Sequence, residues 1–273
     1  MNTFDALKQF YENYDEDSRL TSRFGSVEYL TTMRYIEKYL RPGIRILEIG
    51  AATGRYSHTL ARQGYQVDAV ELLEHNIELF QKNTQAHENI TITQGNATDL
   101  SAFADDTYDL TLLLGPMYHL FTEEEKLAAL GEAVRATKNG GTIFAAYCGN
   151  DATILQFCFL RGMLKDEHYK SLIDPVTFKA SSDPIDLFAL HRPEEIAALR
   201  SHFAVEPLHF VATDGYTNYM RDAISQMDDE LFETYLQYHF ATCERTDMLG
   251  YSNHYLDIFR KTICDAPVYE GSL

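Results

Sequence analysis

The segment 44–71 constrains the fold more than any other part of this chain. Two short apolar runs, 44–49 and 67–70, are separated by a loop of small residues, 50–54, and by an amphipathic stretch. The second apolar run ends in an acid, Glu71. This order predicts a strand, a tight turn, a helix and a second strand, a unit that builds nucleoside-cofactor sites at its first turn.

The composition of the loop argues against a dinucleotide cofactor. The dinucleotide pattern needs glycine at its first, third and sixth positions, where this chain has Gly50, Ala52 and Arg55. A methyl group at Ala52 keeps the backbone away from a pyrophosphate, and the long side chain of Arg55 obstructs close packing of helix on strand. An NAD-dependent dehydrogenase is therefore a distant alternative.

Apolar runs and amphipathic stretches alternate along the rest of the chain. Strands are predicted at 44–49, 66–71, 90–94, 108–114, 142–147, 205–212 and 254–260. Helices joined to them by short connections predict an α/β fold with a doubly wound, mostly parallel sheet of seven strands. Helical cap additions are predicted at the N-terminus, after strand 5 and after strand 6, and residues 151–166 are predicted to form one apolar helix.

Three patterns together resemble the class I S-adenosylmethionine (SAM)-dependent methyltransferases. Residues 48–54, Glu-Ile-Gly-Ala-Ala-Thr-Gly, are similar to motif I of that family, with alanine at one central glycine. The Asn-Gly-Gly turn at 139–141 is similar to the turn before strand 5, and Leu-Gly-Pro-Met-Tyr-His-Leu at 114–120 is similar to motif IV of small bacterial members. The resemblance covers residues 26–150 and 186–262. It implies a Rossmann-like fold, with SAM as methyl donor and S-adenosylhomocysteine as product.

The resemblance also implies which residues contact the cofactor. Glu71 would accept hydrogen bonds from both ribose hydroxyls, because a carboxylate offers two oxygen acceptors to two O–H donors. Asn96 and the backbone N–H of Ala97 would bind the adenine ring, on which Leu72 would pack. Contacts near the methionine part are implied for Glu48, Gly50, Ala52, Gly54, Leu114 and Gly115.

Two residues that follow the fourth predicted strand are candidates for catalysis. Methyl transfer from a sulfonium mainly needs alignment of the reacting atoms, and it needs a base only when the nucleophile is protonated. His119 is the candidate base, because an imidazole titrates near neutral pH. Tyr118 is a candidate to line the methyl site. The alternative for His119 is a hydrogen bond to nearby backbone.

Aromatic side chains in the added segments are candidates for contact with the methyl acceptor, since small-molecule pockets are mostly apolar and aromatic. The candidates are Tyr11, Tyr14, Tyr118, Tyr147, Tyr216 and Tyr219. The alternative is that these residues form a satellite core under the additions. Four arginines are candidates to neutralise an acidic acceptor, namely Arg19, Arg23, Arg161 and Arg221.

The chain is predicted to be one methyltransferase domain, 1–273. Its predicted parts are an N-terminal lid at 1–25, a SAM-binding core at 26–150, substrate-cap additions at 151–185 and 213–250, and the rest of the sheet at 186–212 and 251–262.

The charge of the chain excludes some partners. With 41 acidic and 23 basic residues, the net charge of −18 disfavours nucleic acid and anionic membranes as partners. The four cysteines are widely spaced, so we expect free thiols and no metal site. Without a signal peptide or a long apolar span in the sequence, we expect a soluble, cytoplasmic protein.

The function predicted from the sequence is transfer of a methyl group to O, N or S of a small molecule. Two alternatives stay open: a peptide or protein methyltransferase, and a SAM-binding protein without transferase activity. The sequence leaves the acceptor open, and it leaves the choice between monomer and homodimer open.

Overall fold

A computed structural model describes residues 3–14, 20–186 and 188–262. Its centre is one eight-stranded sheet. The strands are β1 (Arg45–Ile49), β2 (Gln66–Glu71), β3 (Ile90–Gln94), β4 (Tyr108–Leu113), β5 (Thr137–Gly149), β6 (Leu190–His191), β7 (Val205–Ala212) and β8 (His254–Lys261). The order is β3-β2-β1-β4-β5-β8-β7, with β6 paired to β5. Strand β8 runs antiparallel to β5 and β7, and the other pairings are parallel. The predicted Rossmann-like sheet is confirmed, with β6 as an additional strand.

Helices cover the sheet and extend its rim. They are α1 (Thr3–Asn13), α2 (Ser26–Glu37), α3 (Arg55–Arg62), α4 (Glu74–Asn83), α5 (Glu123–Ala136), α6 (Asn150–Thr153), α7 (Glu167–Ser171), α8 (Pro193–Arg200), α9 (Arg221–Ser225) and α10 (Asp229–Thr242). Short 3-10 turns lie at Pro116–Tyr118, Met163–Lys165, Pro184–Asp186, Thr217–Tyr219 and Leu249–Tyr251. None of the helices in these described ranges is long and apolar enough to cross a membrane.

Strand β1 shows how the sheet divides the core. Its side chains alternate between faces, so that Leu47 and Ile49 pack in one apolar cluster and Ile46 packs in the other. All three are fully buried, and burial of each contributes roughly 1.5–3 kcal/mol. Because both faces of the sheet are covered, the carboxyl ends of the parallel strands are the edge left for a ligand.

The predicted single helix at 151–166 is wrong. Helix α6 continues into a π-helical segment, Ile154–Leu160, and the chain then breaks. Gly162 takes φ +72°, a left-handed conformation that ends helices. The segment therefore bends over the rim of the sheet instead of running straight away from it.

Candidate functional site

The loop after β1 has a fixed and unusual backbone. Gly50, Ala52 and Gly54 have φ values of +77°, +46° and +91°. A Cβ atom at Gly50 would lie 2.5 Å from Cδ of Pro116, and one at Gly54 would lie 2.6 Å from Nε2 of His58. Both positions therefore require glycine for space as well as for conformation. Ala52 adopts the same left-handed region at a cost of roughly 1–2 kcal/mol.

Glu71 ties this loop to the end of β2. Its Oε2 accepts a hydrogen bond from the N–H of Ala52 at 2.9 Å. Its Oε1 accepts from the N–H of Leu73 at 2.9 Å and from the amide of Asn76 at 3.2 Å. The carboxylate is buried, with 6% of the residue exposed. A carboxylate has about four acceptor positions, so it keeps capacity for a further donor.

A narrow pocket lies beside the loop at the carboxyl ends of β1 and β4, and we call it the cofactor pocket. Four of the predicted cofactor residues line it, namely Glu48, Gly50, Ala52 and Leu114. Gly54 and Gly115 are not part of this lining. A Cβ at Gly115 would come within 3.3 Å of the carbonyl oxygen of Gly50.

Glu48 gives the cofactor pocket a titratable group. Its carboxyl accepts a hydrogen bond from the hydroxyl of Ser57. Burial raises the pKa of Glu48 to about 8, and the nearby carboxylate of Glu71 adds to the rise. A cation in the pocket would favour the ionised form.

The remaining cofactor candidates, Leu72, Asn96 and Ala97, do not line the cofactor pocket. They follow β2 and β3 at the same edge of the sheet. The side chain of Asn96 is exposed and accepts a hydrogen bond from the N–H of Thr98 at 3.1 Å. Ala97 is buried in the core. The adenine half of the predicted site is therefore a shallow edge, whereas the methionine half is a pocket.

Among the described residues that line the cofactor pocket, ten were not identified as ligands from the sequence, and they include Glu28 and Thr32 of α2 and also Arg55. The guanidinium of Arg55 lies over the ring of Tyr29 at 4.7 Å. Its buried Nε has no hydrogen-bond partner among the described residues. A group with a carboxylate end, as the methionine part of SAM has, fits this donor. The signal available in the sequence was the position of Arg55 directly after the loop.

A cavity of about 780 Å³ lies next to the cofactor pocket, and we call it the acceptor cavity. Its walls come from α1, from the segment after β5, and from residues after β7. Aromatic side chains dominate its inner part, including Phe10, Tyr11, Tyr14, Phe24, Phe157 and Phe188. Tyr118 and Glu28 line both the cofactor pocket and the acceptor cavity. We call this shared wall the junction.

The two catalytic candidates have different positions. Tyr118 is buried at the junction, with 7% of the residue exposed. His119 is not among the residues that line either space. Its Nε2 lies 2.9 Å from the hydroxyl of Tyr11, and its ring packs on Phe188. His119 therefore supports the cavity wall from behind, at one remove from the junction.

Three of the predicted acceptor contacts lie away from the acceptor cavity. Tyr147 is fully buried, because its strand is central, and its ring meets His191 edge-on. Tyr216 stacks on Tyr251 at 4.5 Å and lines a separate small pocket. Tyr219 packs against the same pair of rings and is not part of the cavity lining. Tyr11, Tyr14 and Tyr118 line the acceptor cavity, whereas Tyr147, Tyr216 and Tyr219 do not.

Of the three arginine candidates that the structure describes, Arg221 alone lines the acceptor cavity. Arg23 forms an ion pair with Asp229 at 2.8 Å, and Arg161 packs over Phe157. Arg19 lies outside the described residues.

A cluster of Glu28, Asp214 and His254 stands at the junction. Nδ1 of His254 lies 2.8 Å from Oδ2 of Asp214 and 3.3 Å from Oε2 of Glu28. Its ring centroid is 5.7 Å from that of Tyr118. Burial lowers the pKa of His254, but the two carboxylates outweigh burial and hold the pKa well above its usual value. This cluster was not predicted from the sequence, because its members lie on α2, after β7 and at the start of β8.

The same three residues have ligand atoms within 4.8 Å of one another, a spacing that suits a metal ion. The oxygens of Asp214, however, are engaged by protein donors. Oδ1 accepts from the hydroxyl of Ser252 at 2.6 Å and from the N–H of Asn253 at 2.8 Å. Oδ2 accepts from the amide of Asn218 at 2.6 Å. The arrangement orients His254 more directly than it offers an open ligand set.

Comparison with known proteins shows which families and proteins this chain is similar to. Residues 46–141 match a family described as a methyltransferase domain. Cypemycin N-terminal methyltransferase from Streptomyces sp. is 29% identical over 135 residues, which cover 49% of this chain and 52% of that protein. Demethylmenaquinone methyltransferase from Clavibacter sepedonicus is 32% identical over 101 residues, which cover 37% of this chain and 40% of that protein. The chain thus spans about half the length, or less, of these curated relatives.

Solved structures agree over nearly the whole chain. The CcbJ methyltransferase from Streptomyces caelestis aligns with a TM-score of 0.57 at 14% identity, covering 96% of this chain and 98% of that one. A SAM-dependent methyltransferase from Methanosarcina mazei aligns with a TM-score of 0.55 at 18% identity, covering 84% and 97%. The fold is that of the class I SAM-dependent methyltransferases.

Proposed function

We propose that this chain, whose residues 46–141 form a methyltransferase domain of the SAM-dependent class, transfers a methyl group to a small molecule held in the acceptor cavity. The observation that carries the proposal is the junction. The cofactor pocket and the acceptor cavity share Tyr118 and Glu28 as one wall. A methyl donor in one space and an acceptor in the other would meet there, and such positioning is the main requirement of the reaction.

The residues in and beside the cofactor pocket suit SAM. The carboxylate of Glu48 in the lining suits a cationic ligand, that of Glu71 beside the loop suits ribose hydroxyls, and Arg55 suits a carboxylate. SAM supplies an electrophilic methyl group on a sulfonium. The chain's own residues hold the loop, exclude water from the buried junction and place Tyr118 beside the acceptor.

The size of the acceptor cavity favours a small molecule over a peptide. Its volume of about 780 Å³ lies within the roughly 300–1,000 Å³ of small-molecule pockets. Its walls come from segments that are distant in the chain, among them α1, the segment after β5 and residues after β7. A soluble location, and activity as a monomer or homodimer without nucleic acid, remain part of this proposal.

The test is a binding titration followed by an acceptor screen. Calorimetric titration with SAM, S-adenosylhomocysteine and NAD should show micromolar binding of the first two and none of NAD. Release of S-adenosylhomocysteine in the presence of a broad acceptor panel should then identify the substrate. SAM binding without turnover on any small molecule or peptide would support the non-catalytic alternative, and absence of SAM binding would refute the proposal.

A further inference from the structure

The acceptor cavity carries more negative than positive groups. Among the described residues, its lining includes four carboxylates and two basic groups: Glu28, Asp183, Asp186, Asp214, Arg221 and His254. Arg221 is held by Asn218, to whose Oδ1 its Nε and Nη2 donate at 2.9 and 2.6 Å, and it packs on the ring of Phe24. An acidic acceptor would therefore be repelled by most of the wall.

The excess of negative over positive groups is greatest at the junction. Two carboxylates, Glu28 and Asp214, share one imidazole, that of His254. Both carboxylate residues are buried, with 8% and 3% exposed. Even with His254 protonated, the cluster keeps one excess negative charge in a region of low dielectric constant, where a cationic ligand is strongly favoured over a neutral one.

The inner wall of the acceptor cavity suits the same kind of ligand. Tyr118 lies beside the cluster, and Phe10, Tyr11 and Phe188 are among the other aromatic residues that line the cavity. The faces of aromatic rings attract cations, and the attraction grows when water is excluded. The apolar and aromatic surface also suits an organic body attached to the charged group.

We propose that the methyl acceptor is an organic amine that enters as its ammonium ion, with the carboxylate of Glu28 contacting the amino group at the junction and His254 holding that carboxylate in place. This inference rests on the proposed function. Asp214 is then a positioning residue, because it binds Nδ1 of His254 and its remaining acceptors are used by the segment 252–254 and by Asn218.

The proton balance assigns a role to Glu28. An ammonium ion has no free electron pair, so one N–H proton must leave before transfer. The carboxylate of Glu28 faces both spaces and accepts that proton. The neutral nitrogen then forms the N–C bond, while the electron pair of the broken C–S bond stays on sulfur. The positive charge ends on the methylated nitrogen, and Glu28 returns its proton to water through the acceptor cavity.

The test uses the full chain saturated with S-adenosylhomocysteine and a panel of aromatic amines, each paired with its alcohol analogue. Tyramine with tyrosol and tryptamine with tryptophol are two such pairs. Calorimetry at pH 7 should find amines that bind at least about tenfold more tightly than their alcohols. Glu28→Gln should remove this preference. His254→Gln removes the positive charge beside Glu28 and should strengthen the preference, whereas the exposed Glu37→Gln on the same helix as Glu28 should leave it unchanged.

The outcomes separate this inference from the proposed function. If the wild type did not bind S-adenosylhomocysteine, the proposed function itself would be overturned. Cofactor binding with no amine preference anywhere in the panel would overturn only the inference, and so would methylation confined to alcohols or thiols. The cluster would be assigned to a metal instead if Mg²⁺ bound to the wild type but not to Glu28→Gln. In that case Mg²⁺ would also weaken amine binding no more than its ionic strength predicts. Thermal melts of each variant exclude misfolding as the cause.

Discussion

At the scale of single residues, Glu71 has an observed role in holding the loop and a proposed role in cofactor binding, and two measurements on one variant test them. It accepts hydrogen bonds from the N–H groups of Ala52 and Leu73, and in the proposed complex it accepts from the ribose. We expect Glu71→Ala to weaken SAM binding by at least about tenfold, since hydrogen bonds to charged groups contribute roughly 1.5–3 kcal/mol. We also expect a lower unfolding free energy, because two backbone donors lose their acceptor.

Calorimetry and urea denaturation measure the two effects of Glu71→Ala. Glu74→Ala, a nearby exposed carboxylate on α4, is the control and should change neither quantity. A variant with unchanged SAM affinity would remove Glu71 from the cofactor site.

The second prediction at this scale concerns Glu48. Its pKa is raised to about 8, so the carboxyl is mostly protonated in the free protein at neutral pH. A cationic ligand favours the ionised form, and binding therefore releases a proton below pH 8. We expect SAM affinity to rise between pH 6.5 and pH 8, by at most about tenfold per unit, and then to level.

Glu48→Gln supplies the control for this pH dependence. Because SAM also titrates, the measured quantity is the difference in slope between the wild type and Glu48→Gln. Equal slopes in the two proteins would contradict the prediction.

The part of the candidate site that could be predicted from the sequence is the part whose residues are close together in the chain. The loop 50–54 and Glu71 could be identified because one strand-turn-helix-strand unit contains them. The cluster of Glu28, Asp214 and His254 could not, because its members come from distant elements. Asp214 and His254 are 40 residues apart, and only the antiparallel insertion of β8 brings them together.

At the scale of elements, the contact between the loop and the Pro116–Tyr118 turn sets the geometry of the cofactor pocket. A Cβ at Gly50 would lie 2.5 Å from Pro116, while Gly43, with a similar φ of +80°, has open space. We expect Gly43→Ala to lower the free energy of unfolding by about 1 kcal/mol from conformation alone. Gly50→Ala should lose roughly 1–3 kcal/mol more from the clash.

Urea denaturation of the two variants isolates the contact, because their backbone strain is nearly the same. Gly50→Ala should also lose SAM binding, since Pro116 must move and carries Tyr118 with it. Equal stabilities, or full SAM binding by Gly50→Ala, would show that the turn adjusts freely.

Sequence periodicity located most elements but not the shape of the cap. The seven predicted strands all form. The prediction was most direct for β4, a strand of the parallel part of the sheet, because such a buried strand reads as a nearly continuous apolar run. The conformation of the segment 151–166 was predicted wrongly, because its apolar residues fit a straight helix as well as the observed π-helical segment. The break depends on the conformation of Gly162, which no periodicity encodes.

At the scale of the whole molecule, the buried titratable groups determine how stability changes with pH. The pKa values of Glu48 and Asp257 are raised by burial to about 8 and about 7, and the carboxylates around His254 hold its pKa above its usual value. In each case the native state binds more protons than the unfolded state at pH 6.5–8. We therefore expect the unfolding free energy of the ligand-free protein to fall as pH rises from 6.5 to 8.5.

Two other histidines act at lower pH. Burial lowers the pKa of His191 to about 3 and that of His239 to about 4. Below pH 6.5 the unfolded chain protonates them first, which destabilises the native state and opposes the contribution of Glu48 and Asp257. Denaturation midpoints in urea across pH 5–8.5 check the balance. Glu48→Gln should flatten the decline above pH 6.5, and a wild type that gains stability there would contradict the prediction.

The walls of the acceptor cavity come almost entirely from outside the stretch 46–141, which has a consequence for the evolution of the chain. Of the described residues that line the acceptor cavity, only Tyr118 falls within 46–141, the stretch that matches the methyltransferase family. Substitutions outside 46–141 can therefore remodel the acceptor cavity while most of the residues that line the cofactor pocket stay the same. Proteins that share this domain are then expected to differ in the molecules that they accept.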